Sequence, residues 1–131
     1  MKVDGTPYRS IWLGADGHTV EIIDQTRLPH DFVVARLTSM QQAATAIAEM
    51  WVRGAPLIGA TAAYGMALQM ATDASDAGLS HGYEVLYATR PTAVNLRWAL
   101  EDMRARLLPL APTARRDAAY ARAAAICDED V

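Results

Sequence analysis

Two short runs carry the residue types that could bind and orient a charged small molecule: Arg53-Gly54-Ala55-Pro56 and Arg90-Pro91-Thr92. Each sets an arginine just ahead of a proline suited to open a helix, because a first-turn proline gives up an N–H that the helix does not use. The free N–H groups and positive dipole end of a helix start attract anions. A guanidinium adds a planar fork that meets phosphate oxygens two at a time. A helix of about 16 residues from Pro56 climbs roughly 24 Å, and residues 72–89 suffice to come back down. Arg90 can therefore return beside Arg53, and two helix starts with two guanidiniums would meet at one end of a bundle, a geometry for a phosphate or phosphosugar. The same residues also fit a plain helix corner, with Arg53 on the dipole of the preceding helix and Arg90 at the surface. Periodicity alone does not separate the two readings.

Other candidates for chemistry are sparse. His18, His30 and His81 are far apart, without metal-ligand spacing. Cys127 sits in an alanine-rich run, where a small buried thiol is the expected role, and no nucleophile signature surrounds it. Asp24 follows a strand, where a carboxylate serves to accept turn N–H groups or to act as an acid or base. No acid/base pair, metal site or catalytic residue is identifiable.

The elements that must position the arginines follow from hydrophobic period. The runs YRSIWL and HTVEII flank a turn at Gly14 to Gly17, and the alternation of Val20 and Ile22 with Thr19 and Glu21 suits a hairpin with one buried face. A third strand is expected over Phe32 to Ala35, after Pro29. From Thr38 the period becomes helical. Thr38 and Ser39 each precede a glutamine by three residues, and Met40, Ala44, Ile47 and Trp51 line one face of a first helix that should end near Arg53, with Gly54 as its left-handed cap. The second helix, from Pro56, carries Gly59 and Gly65 among small apolar residues. Each glycine costs about 1 kcal/mol relative to alanine, so a close neighbour is expected there and the helix belongs at the bundle centre. TDASDAGLS reads as a loop, His81 to Tyr87 as a short return, and Pro91 to about Leu108 as the next helix. Pro109 and Pro112 should end it before a last helix from Thr113. Along the Pro91 helix, Leu96, Leu100, Met103 and Leu107 form a seam, Glu101 with Arg104 and Asp102 with Arg106 form pairs outside it, and Val94 and Trp98 fall on the opposite side. That apolar pair implies burial on two sides or contact with a missing domain or second subunit.

The fold class expected is α+β, mainly α: an N-terminal three-stranded antiparallel sheet or hairpin, then a helical bundle. A single domain spans residues 1–131, with strands about 9–36 and helices about 39–128. Twelve Lys and Arg against fifteen Asp and Glu leave a net charge of −3, with no basic stripe, so nucleic acid is not an expected partner. No signal-peptide h-region opens the chain, and Pro56 to Met70 is short for a membrane span, which points to a cytoplasmic protein with no membrane partner.

Three segments, IIDQTRLP (Ile22 to Pro29), AIAEMWVRGAPLIGATAAYGMAL (Ala46 to Leu68) and TRPTAVNLRWAL (Thr89 to Leu100), in this order and spacing, resemble the N-terminal part of the methylthioribose-1-phosphate isomerase family. That family also holds the alpha, beta and delta subunits of translation initiation factor 2B, and the resemblance runs from about Trp12 to Leu107. It implies a methionine-salvage isomerase that opens a cyclic aldose 1-phosphate and shifts a proton or hydride between C1 and C2, giving the ketose 1-phosphate without an organic cofactor. Substrate-binding roles are implied for Arg53, Gly54, Ala55 and Arg90. The family's catalytic cysteine and aspartate lie in a larger Rossmann-like C-terminal domain that this chain lacks, and Cys127 does not stand in the family's Cys-Asn-Thr context. The resemblance thus implies half an active site, inactive alone, with the missing domain and a second copy in a homo-oligomeric dimer as partners. A non-catalytic regulatory module like the initiation-factor subunits, or a ribose-1,5-bisphosphate isomerase, is the alternative; Asn95, where the latter tend to have serine, favours the methylthioribose enzyme.

Overall fold

The computed structural model describes residues 2–3, 6–7, 11–14, 19–23, 34–49, 51–52, 55–90 and 92–129. A two-residue ladder pairs β1 (Lys2–Val3) with β2 (Thr6–Pro7). The main sheet is antiparallel in the order β3 (Ile11–Leu13), β4 (Val20–Ile23), β5 (Val34–Leu37). Its register puts Ile11 opposite Ile22 and Val20 opposite Leu37, and all four are buried. On the other face Glu21 accepts the Trp12 indole N–H at 2.8 Å and lies 3.8 Å from Arg36. The third strand thus runs to Leu37 rather than ending at Ala35, because Leu37 completes the inward-facing row. Thr19 and Ile23 are buried as well, so the alternation holds only across Val20, Glu21 and Ile22.

Five helices follow: α1 (Met40–Ala48), α2 (Ala55–Thr72), α3 (Asp76–Thr89), α4 (Val94–Leu107) and α5 (Pro112–Glu129). The fold is α+β and mainly α, as expected. At the start of α1 the Ser39 hydroxyl accepts the Gln42 N–H at 3.2 Å, and the Gln42 side chain reaches back to the Thr38 N–H at 2.6 Å. This is a capping box spread over two residues. The helix ends one turn before Arg53, because the Trp51 N–H closes on the Ala46 carbonyl at 2.8 Å, the six-to-one bond of a Schellman ending. Gly54 is therefore not its cap.

Helix α2 is buried on every side from Ile58 to Met70 and touches all four other helices. Its polar side chains are satisfied locally: the Thr61 hydroxyl donates to the Leu57 carbonyl and the Gln69 amide to the Gly78 carbonyl. The close approach expected at its glycines is present. A Cβ on Gly59 would lie 3.2 Å from the Asn95 carbonyl oxygen, and one on Gly65 3.1 Å from Ala43 Cβ and from both Leu86 methyls.

Helix α3 occupies most of the segment read as loop and short return. Only residues 73–75 connect it to α2, since Ser75 caps it by accepting the Gly78 N–H at 3.1 Å. Asp73 in turn accepts from the Ser75 N–H and hydroxyl, and those bonds hold its carboxyl below the ordinary value. Pro112 opens α5 instead of merely ending α4, in the first-turn position that suits it. Along α4 the seam of Leu96, Leu100, Met103 and Leu107 is fully buried, each side chain contributing about 1.5–3 kcal/mol by leaving water. Arg115 is buried too, and it ties the end of α4 to the α2–α3 connection by donating to Leu107, Leu108 and Ala74 carbonyls.

Candidate functional site

Of the residues proposed to hold an anion, Arg53 and Gly54 lie outside the described residues, and Ala55 is the first residue of α2. Arg90 is the C-cap of α3, with a non-helical backbone (φ −150, ψ 74), outside the α region that a following proline disfavours. The helix expected to open at Pro91 begins three residues later, at Val94, after a turn closed by the Ala93 N–H on the Arg90 carbonyl at 3.0 Å. The second arginine therefore terminates one helix and is held by that turn against the start of the next. It does not itself open a helix.

The Arg90 side chain is half-buried and directs its Nε toward the Ile47 carbonyl at 3.4 Å, in the last turn of α1. The contact is long, so most of the guanidinium's hydrogen-bonding capacity is uncommitted to it. Gly59, in the second turn of α2, packs on the backbone of Asn95, in the first turn of α4. The end of α1, the start of α2, the end of α3 and the start of α4 thus gather at one end of the bundle. Ala93 caps α4 with no side-chain hydrogen bond, which leaves first-turn N–H groups without that partner.

Two features lie beside this end. First, Val94 and Trp98, placed opposite the buried seam as expected, are 77% and 51% exposed. With Thr92, Ala93, Arg97 and Glu101 they line an open depression of about 500 Å³ that starts two residues beyond Arg90. Second, Glu101 pairs with Arg97 at 3.6 Å. Arg104, the partner expected for it, lies over the Tyr83 ring at 4.2 Å, beside a Tyr83–Tyr87 stack. The Asp102–Arg106 pair forms as expected and gains Arg122 of α5 at 2.7 Å. Burial pushes the Asp102 carboxyl up, but the hydrogen bonds and charges of Arg122 and Arg106 outweigh it and hold the carboxyl below its ordinary range.

The remaining candidates take no part in this end of the bundle. Exposed His81 is on α3; His18, His30, Asp24 and the Cys127 side chain lie outside the described residues. Among the described residues no cluster of His, Cys, Asp and Glu could hold a metal, and no helix is long and apolar enough to cross a membrane.

No family model matches the chain. Over 130 residues it is 69% identical to the methylthioribose-1-phosphate isomerase of Paramagnetospirillum magneticum, an alignment that takes in 99% of the chain and 36% of that protein. Among solved structures it is similar to the 5-methylthioribose 1-phosphate isomerase of Pyrococcus horikoshii, with a TM-score of 0.84 and 34% identity over 92% of this chain and 36% of that one. It is also similar to the delta subunit of translation initiation factor eIF-2B from A. fulgidus, with a TM-score of 0.85 and 31% identity over 94% of this chain and 37% of that one. The chain spans about a third of the length of the curated isomerases it matches.

Proposed function

This chain belongs to the methylthioribose-1-phosphate isomerase family, and from that premise we propose that it is the N-terminal, substrate-binding part of a cytoplasmic, homo-oligomeric aldose–ketose isomerase of methionine salvage. The substrate is methylthioribose 1-phosphate and the product methylthioribulose 1-phosphate. In the isomerisation a hydrogen leaves C2 for C1, the C2 hydroxyl becomes the carbonyl, and the opened ring oxygen takes a proton. Oxidation at one carbon balances reduction at the next, so no external redox partner is consumed.

The observation that carries the reading is the position of Arg90: half-buried, fixed by the turn to Ala93, and set just ahead of the first turn of α4, which packs on the second turn of α2 at Gly59. There the guanidinium can grip two phosphate oxygens while helix N–H groups supply further donors. Val52 and Ala55, which flank positions 53 and 54, belong to the same end of the bundle, and this supports Arg53, Gly54 and Ala55 as the other half of the anion site. The acid and base that move the hydrogen belong to the polypeptide that completes the relatives' length, so the chain by itself binds without turning over. The eIF-2B delta likeness supports a second reading, in which the same end senses a phosphorylated ligand without chemistry.

The test joins these 131 residues to the remaining portion of the Paramagnetospirillum magneticum isomerase. The joined protein should convert methylthioribose 1-phosphate and the chain alone should not. Turnover by the chain alone refutes the division of labour; binding without turnover in the joined protein favours the sensing module.

A further inference from the structure

We propose that the depression lined by Thr92, Ala93, Val94 and Trp98 is a docking site for the catalytic portion that completes the relatives' length. The inference rests on the reading of Arg90 as a phosphate ligand. A catalytic acid or base must come within about 2.6–3.2 Å of the proton it moves. If the substrate touches Arg90 and those groups are not on this chain, the polypeptide bearing them has to close over the surface next to Arg90. That surface is defined. The turn closed by Ala93 keeps its ends within about 7 Å, Val94 is the next residue, and Trp98 stands one helical turn, about 6 Å, further on.

The chemistry of this surface fits a protein neighbour. On α4 the inward seam is sealed, while Val94 and Trp98 face outward around an open depression. A half-exposed tryptophan beside a hollow is the kind of anchor that dominates interfaces once water is excluded. The Arg97–Glu101 pair at its edge supplies a polar rim.

The favoured occupant is the catalytic portion and not a second copy of this chain. The outward stripe continues from Val94 and Trp98 through Glu101 to Ala105 and Leu108, all exposed. That stripe carries the Arg97–Glu101 pair between its apolar ends, so only Val94 and Trp98 offer a continuous apolar contact, a small patch for holding two untethered copies together. The matched isomerases, by contrast, carry nearly twice this chain's length again in the same polypeptide. Tethering holds that portion at high effective concentration beside the depression.

The experiment measures shielding, not activity. Val94→Cys, with Cys127→Ser as background, is labelled by a maleimide in the 131-residue chain and in the joined protein; Asp117→Cys, on an exposed part of α5, is the control. Labelling at position 94 should slow at least about tenfold on joining, as expected for a site reached only through local opening, while the control rate stays unchanged. Trp98→Glu should restore fast labelling at 94 and lower kcat/KM by about tenfold or more without moving the unfolding midpoint of the chain alone. Equal labelling of the two proteins at position 94 overturns the docking site, as does shielding in the chain alone that grows with concentration, which assigns the face to a second copy. Arg90→Ala separates the two proposals: shielding at 94 with unaltered phosphosugar affinity leaves the docking intact and sinks the phosphate reading.

Discussion

Replacing Arg115 by methionine tests how this bundle holds its α2–α3 connection against α4 and α5. Arg115 is 2% exposed, and its donors meet the Leu107, Ala74 and Leu108 carbonyls at 2.9, 2.9 and 3.0 Å. Its Nη2 also lies 2.6 Å from Asp76. Methionine keeps an unbranched apolar stem and removes every donor. Each hydrogen bond involving a charged group is worth about 1.5–3 kcal/mol, but the freed carbonyls lie near helix ends and can recover water. The Asp76 side chain is 77% exposed, so that ion pair adds only about 0–1 kcal/mol. Taking the low end, about 1.5 kcal/mol for each of the three carbonyls, and the small ion-pair contribution gives a loss of about 4–5 kcal/mol. In a chain of this size each kcal/mol shifts Tm by roughly 4 °C, so thermal and urea unfolding should both register the change clearly. Arg115→Lys should recover only part, because one ammonium cannot reproduce the fork, and Asp76→Asn should cost under about 1 kcal/mol. A loss below about 1 kcal/mol for Arg115→Met would refute the clamp.

Asp102→Asn should destabilise the chain at neutral pH by about 1.5–3 kcal/mol. Because the folded-state carboxyl titrates below its ordinary value of 3.8, its contribution is fully present above that value and is lost as pH falls through the lowered one. The wild-type and Asn urea midpoints should therefore converge on acidification; a gap that persists in acid contradicts the linkage. Gly78→Ala drives a methyl into the Asp73 carbonyl and should cost about 1–3 kcal/mol, whereas a neutral or stabilising effect in urea unfolding would show that the α2–α3 connection yields. Leu100→Ala, in the sealed seam of α4, should cost about 2–5 kcal/mol in the same assay, and a loss under about 1 kcal/mol would mean the seam repacks.

Much of this architecture could be read from period and small residues. The glycines of α2 announced a crowded centre, and Gly59 and Gly65 do meet neighbours at 3.1–3.2 Å. The leucine seam of α4 and the placement of Val94 and Trp98 opposite it followed from spacing alone, but whether that pair is buried or exposed did not. Helix boundaries were legible only where a cap competed with nothing else. Ser75 caps α3 by accepting the Gly78 N–H, but the surrounding Thr72, Asp73 and Asp76 look equally like a polar loop, so the sequence does not mark the helix start. Proline misled in both directions. Pro112 opens a helix where it was read as a stop, and α4 waits until Val94 although Pro91 could have started it. The roles of Arg115 and Arg122 had no signal in the sequence, because their partners, at Leu107 and Asp102, depend on tertiary contact that no local pattern encodes. Arg90 was read as the residue that opens a helix, whereas it caps α3, and its expected meeting with Arg53 lies outside the described residues.

The most direct measurement is a titration of the 131-residue chain with methylthioribose 1-phosphate, followed by amide NMR shifts. The account predicts saturable changes in segments 53–57 and 90–95, absent with unphosphorylated methylthioribose. In Arg90→Ala, binding should be weaker by about 1.5–3 kcal/mol, roughly 10- to 150-fold. Saturable shifts confined to another face of the bundle, or affinity unchanged in Arg90→Ala, would contradict the claim that this end of the fold holds the substrate's phosphate.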